Sequence, residues 1–214
     1  MAKGSNFERE ICKQLSLWWT NGKRDDVFWR TAGSGARATT RSKQHQSTFG
    51  QYGDVQATDP IGQPLIDICT IELKRGYSNE TFANLIEDSQ TANAKPCMYT
   101  KFIEQAYSDH VKAETFAWML IVKRDRRKAI VIFPWSLHKA LRQVEAPLKR
   151  LKPLVKIKGA SFQNIYITPL VSFLVNIQPR YVNKIHSKLY DDEENEDCKH
   201  CTKPTCANCF REKE

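Results

Sequence analysis

Apolar and polar positions fall into blocks whose period changes along the chain. Phe7, Ile11, Leu15 and Trp18 recur at helical spacing and predict an amphipathic helix over 5–19. Ser5, followed three residues later by Glu8, reads as a capping box at its start. Val27 to Arg30 is a short strand, closed by the turn-rich Thr31-Ala32-Gly33-Ser34-Gly35. Residues 36–53 carry little apolar content and read as a long loop, a length that in a compact domain signals function or disorder. Asp59-Pro60-Ile61-Gly62 is a turn between strands at 54–58 and 64–74. Helices follow over 79–94, with Phe82, Leu85, Ile86 and Ser89 on one face, and over 101–113. Strands at 115–122 and 129–133 flank the charged hairpin Lys123-Arg124-Asp125-Arg126-Arg127-Lys128. Pro134-Trp135-Ser136 opens another helix, to about Gln143. Residues 147–158 are rich in Lys and Pro, 163–168 read as a strand, and 170–190 mix apolar and basic residues without a clear period. The order helix, strands, helix, strands, helix predicts an α/β fold, a mixed sheet covered on both sides.

Charge sharpens this picture. The 214 residues carry 33 Lys and Arg against 24 Asp and Glu, a net charge of +9. Residues 191–214 hold eight acids and four basic residues, which leaves 29 basic and 16 acidic residues in 1–190. A body this basic favours a polyanion, nucleic acid above all. No apolar run approaches the roughly 20 residues that span a bilayer, so no membrane partner is expected. The N-terminal Met-Ala-Lys-Gly-Ser-Asn lacks the apolar core of a secretory signal. The expected location is intracellular, in the cytoplasm or nucleoid.

The seven cysteines form two groups. Cys12, Cys69 and Cys97 sit in apolar segments and read as buried thiols. Cys198, Cys201, Cys206 and Cys209 form two C-x-x-C pairs, which in a reducing compartment point to a structural Zn²⁺ knuckle. The spacer of four between the pairs is short for a zinc ribbon, His200 is an alternative ligand, and an iron–sulfur cluster is the competing metal centre. The acidic run 191–197 reads as a disordered linker. The domain plan is therefore a core over 1–145, an extension of it over 146–190, the linker at 191–197 and the knuckle at 198–210.

Catalytic chemistry is concentrated in Ile71-Glu72-Leu73-Lys74. Alternation in a strand puts Glu72 and Lys74 on one face and Leu73 on the other. A strand-end Glu-x-Lys also occurs as a plain edge pair, so the neighbouring acids decide the reading. Asp54 follows Gly53 one hairpin upstream. Strand phase turns the rival Asp67 away from Glu72. Glu8 borders the apolar face of the first helix, where it either caps that helix or overlooks the same spot. Two carboxylates and an ammonium can hold a divalent cation and activate water for phosphodiester hydrolysis. Arg37, Arg41 and Lys43 in the long loop suit phosphate contacts. Trp18, Trp19 and Trp29 are expected in the core, with a dimer interface as the other use.

The succession Lys3-Gly4-Ser5-x-x-Glu8-Arg9-Glu10, Arg30-x-x-Gly33-Ser34-Gly35, Gly53-Asp54, Ile71-Glu72-Leu73-Lys74 and Gln90 resembles the archaeal-type Holliday-junction resolvases of the PD-(D/E)xK nuclease superfamily. The resemblance covers about residues 3–140. It implies a restriction-endonuclease-like fold, with a mixed central sheet flanked by helices. It implies that Asp54 and Glu72 bind Mg²⁺ or Mn²⁺, that Lys74 acts on the attacking water, and that Glu8 holds a second metal or its water. It places Ser34 near the scissile phosphate, and Arg30, Lys3 and Gln90 among the nucleic-acid contacts. Branched DNA and a homodimer follow from the same likeness. Gly53 departs from a common proline, and the 36–53 loop is longer than in compact relatives. The competing readings are another PD-(D/E)xK nuclease of restriction, repair or replication, and a non-catalytic zinc-containing nucleic-acid-binding protein.

Overall fold

The computed structural model describes residues 3–31, 52–88, 96–158 and 164–190. The amphipathic stripe near the N-terminus forms α1 (Lys3–Trp19), with Phe7, Ile11 and Leu15 fully buried. Burying side chains of this size stabilises the fold by about 1.5–3 kcal/mol each. The helix already runs through Ser5, so Ser5 lies inside its first turns and not at a cap. Next come β1 (Phe28–Arg30) and β2 (Val55–Ala57), an antiparallel pair.

A 3-10 turn, Pro60–Gly62, leads into α2 (Gln63–Ile68), and only then does β3 (Cys69–Arg75) begin. This corrects the expected strand over 64–74. Asp59 caps the 3-10 turn by accepting from the Ile61 N–H at 3.0 Å, and a proline occupies the first turn of each helical piece. Proline is pre-organised for that position. Leu65 and Ile68, three apart, then face the core together.

The chain continues through α3 (Phe82–Asp88), α4 (Met98–Ala113), β4 (Ala117–Lys123), β5 (Ile130–Pro134) and α5 (Trp135–Gln143). It closes with β6 (Val155–Ile157), β7 (Ile165–Pro169), α6 (Leu170–Asn176) and α7 (Pro179–Tyr190). The segment 170–190, which shows no single period, is thus two helices.

Five strands form one sheet in the order β3-β4-β5-β7-β6. Only β3 and β4 run parallel; the other pairs are antiparallel. A parallel pair needs a crossover, and here the crossover contains α3 and α4. β4 is buried from Ala117 to Val122, as expected of a central strand covered on both faces. One face packs Ile71, Leu73, Met119 and Ile121 against α1, α2, α5, α6 and α7. The other packs Trp118, Leu120, Val122 and Ile132 against Tyr99, Phe102, Ile103 and Ala106 of α4. The mixed α/β architecture read from the sequence is present. Trp19 is buried, whereas Trp29 is 47% exposed. Among the described residues, no helix is long and apolar enough to cross a membrane.

Candidate active site

β3 is the edge strand of its sheet, and three other segments converge on it. The Asp54 N–H donates to the Ile71 carbonyl at 2.8 Å, and the Asp54 carbonyl accepts from the Thr31 N–H at 3.0 Å. The Asp54 side chain bends onto the same edge, where Oδ2 accepts from the Leu73 N–H at 2.8 Å. The approach is this close because position 53 is glycine. Its φ is +78°, and a Cβ there would stand 3.0 Å from both Ile71 O and Thr70 Cγ2. Proline, fixed near −65°, is incompatible with that backbone. The glycine is a requirement of this chain's own geometry.

Glu72 and Lys74 share the face of β3 covered by α4. Lys74 Nζ lies 3.1 Å from Glu72 Oε2, and the side chains are 18% and 3% exposed. The same oxygen accepts from Gln105 Nε2 of α4 at 3.0 Å. Burial first, and then the Asp54 charge, push the Glu72 carboxyl up to about 8, against the opposing pull of Lys74. Desolvation disfavours a charged carboxylate, and a neighbouring like charge adds to the effect.

Glu8 reaches the site from α1. Its Oε2 lies 3.2 Å from Arg30 Nη1, so Arg30 serves as its counter-charge. Burial, followed by the Asp54 charge, raises the Glu8 pKa; Arg30 and Lys74 lower it. The charges of Asp54 and Lys74 therefore act on both Glu8 and Glu72 around the rim of a single strand.

Asp54 Oδ1 and Glu72 Oε1 have no hydrogen-bond partner among the described residues. Mg²⁺ prefers oxygen ligands and is commonly held by one or two carboxylates plus waters. A pair of hard oxygen donors, one of them on a buried acid, fits such an ion. Among the described residues, no group of three or more His, Cys, Asp or Glu side chains is arranged to hold a metal. Glu8 is paired with Arg30.

Asp67 stays out of the site, but for a reason other than strand phase. It lies on α2, where Oδ2 contacts His186 Nε2 at 2.9 Å and Oδ1 accepts from Gln63 Nε2 at 2.7 Å. Lys3 is the first residue of α1. Ser34, Arg37, Arg41, Lys43 and Gln90 lie outside the described residues, as do Cys198, Cys201, Cys206 and Cys209. Gln105 escapes a reading of the sequence. Its signal is a polar residue set into the buried stripe of Phe102, Ile103 and Ala106.

A mixed sheet with helices on both faces, with Asp54, Glu72 and Lys74 gathered at one edge strand, fits a PD-(D/E)xK-type fold. The family model described as "Phage putative PDDEXK endonuclease" matches residues 1–184, and the chain belongs to that family. No curated protein and no solved structure matches the chain.

Proposed function

We propose that the protein is a divalent-metal-dependent DNA endonuclease that favours branched DNA. The observation that carries the reading is the placement of Glu72, Lys74 and Asp54 on the rim of one strand, with Glu72 buried and held by Lys74 and Gln105. Asp54 and Glu72 would hold Mg²⁺ or Mn²⁺. When bound, that ion polarises a phosphate oxygen and acidifies a water. Lys74 sets an ammonium beside the carboxylates, where it offsets the negative charge that develops on the attacked phosphate. Gln105 orients the Glu72 carboxylate, and the Leu73 N–H orients that of Asp54, so both acids are pre-positioned for an ion. Arg30 balances Glu8 at the border of the site.

The preference for branched DNA is supported by the motif order through Glu8, Arg30, Gly53-Asp54 and Glu72-Leu73-Lys74. Symmetric cutting of a four-way junction needs two sites, hence a homodimer. For the Cys198–Cys209 quartet the proposal is structural zinc, tested by the metal content of a peptide spanning 195–212.

The central test incubates labelled four-way junction, linear duplex and single strand with Mg²⁺, with Mn²⁺ and with EDTA. Metal-dependent symmetric nicking of the junction is expected. Equal cutting of linear duplex would remove the branched-DNA preference alone. No metal-dependent cutting of any substrate would overturn the nuclease reading.

A further inference from the structure

β3 and β4 run parallel, with Lys74 opposite Val122 and Arg75 opposite Lys123. The turn that follows β4 therefore emerges at the end of the sheet where Lys74 lies. That turn contains five basic residues out of six, Lys123 to Lys128. They divide into two sets. Lys123 Nζ pairs with Glu10 Oε1 of α1 at 2.6 Å, and Arg124 Nη1 donates to the Glu80 carbonyl at 2.7 Å. The Lys123 carbonyl also accepts from the Gly76 N–H at 3.1 Å. These bonds pin the base of the turn to the helix on one side of β3 and to the chain leaving β3. Arg126, Arg127 and Lys128, at the tip, are exposed and have no ion pair among the described residues.

One further observation points the same way. Arg75, which ends β3, is half-buried and stands opposite Lys123 at the base of this turn. A guanidinium so placed, on the same side of the sheet as exposed and unpaired cations, is suited to a phosphate.

We infer that Arg75 and the tip residues Arg126, Arg127 and Lys128 form a phosphate-binding rim that grips the backbone of duplex DNA leading into the active site. This rests on the nuclease reading above. The rim touches phosphates away from the cut, so it contributes to binding and not to the chemical step. Backbone contacts position a duplex without reading its sequence.

The test compares the full-length protein with the triple variant Arg126→Ala/Arg127→Ala/Lys128→Ala, with Arg75→Gln, and with a control, Lys184→Ala/Lys188→Ala. The control lysines are exposed on α7, whose Tyr190 hydroxyl donates to Asp67 O ahead of the opposite end of β3. Thermal melts first establish that each variant is folded. Binding of a labelled duplex-armed junction is then measured in EDTA across a salt series. Each duplex phosphate that a variant no longer neutralises makes the slope of log K against log salt shallower by about 0.9. The triple variant should leave close to three phosphates ungripped, Arg75→Gln one, and the control none. In Mg²⁺ the triple variant should show a KM raised about tenfold or more, with kcat unchanged. A wild-type slope in both the triple variant and Arg75→Gln would overturn the rim while leaving the cleaving wild type a nuclease. A fall in kcat at saturating DNA would also overturn it. Wild-type protein that neither binds nor cuts DNA would remove the nuclease reading and the rim together.

Discussion

At the residue scale, the site turns on an acid placed where an acid is costly. The folded protein holds Glu72 up to about 8, against an ordinary 4.5. Between those values the folded state keeps a proton that the unfolded chain has released. Stability from this group is fully present below about pH 4.5 and is lost as pH rises through about 8. In EDTA, Glu72→Gln should therefore gain stability over wild type as pH rises, on the order of a few kcal/mol by pH 8. Urea melts from pH 5 to 8.5 measure it, and a gap that does not widen with pH counts against the burial argument. The same variant, and Asp54→Asn, should bind DNA while losing cleavage. Gln105→Ala leaves Glu72 without its second donor, and it should weaken Mg²⁺ affinity or activity about 10–100-fold, read from a metal titration of the cleavage rate. The Glu72–Lys74 pair was legible because strand alternation is a local rule. Gln105 was not, because its role depends on how α4 lies across β3, which no local pattern specifies.

At the scale of elements, the Gly53-Asp54 corner does the most to place the acid. A side chain at 53 meets both a left-handed backbone and the Ile71 carbonyl. Gly53→Ala should cost about 1–3 kcal/mol in stability and reduce cleavage further than the melt alone explains, because Asp54 is levered off the strand. Denaturant melts paired with cleavage rates on the same preparations separate the two effects. The sequence indicated a hairpin into β3 but placed strand where α2 lies. Leu65, Asp67 and Cys69 fit a two-residue period, yet Pro60 and Pro64 suit helical first turns and Leu65 with Ile68 fits the core. Helical packing prevailed over apparent alternation. The segment 170–190 was opaque for a related reason: the break at Gln178-Pro179 divides two short helices, so no one period runs through it.

At the scale of the whole molecule, the site and the C-terminal helices share one core. Phe173, Leu174, Ile177, Val182 and Ile185 pack in the same buried cluster as Phe7, Ile11, Ile71 and Leu73. Trp18 Nε1 of α1 donates to the Ile177 carbonyl at 2.8 Å. A chain ending at Pro169 keeps Glu8, Asp54, Glu72, Lys74 and Gln105 but should fail to melt cooperatively, as followed by circular dichroism. A cooperative melt in that variant would mean that the α6–α7 face is dispensable. The layered plan was legible because the order of elements reflects it. The far edge of the sheet was less so, since β6 is three residues long and largely exposed.

The bond between Asp54 and the Leu73 N–H has one more consequence. Unpaired donors along an edge strand invite pairing with another chain, and proteins commonly guard such edges. Here the guard on β3 is itself an acid of the site. Removing the carboxyl altogether, as in Asp54→Ala, uncovers that donor on an apolar strand and invites aggregation, whereas Asp54→Asn keeps an oxygen in place. An inactive Asp54→Ala protein that precipitates would therefore be reporting an uncovered strand, and Glu72→Gln is the sounder choice for trapping DNA complexes.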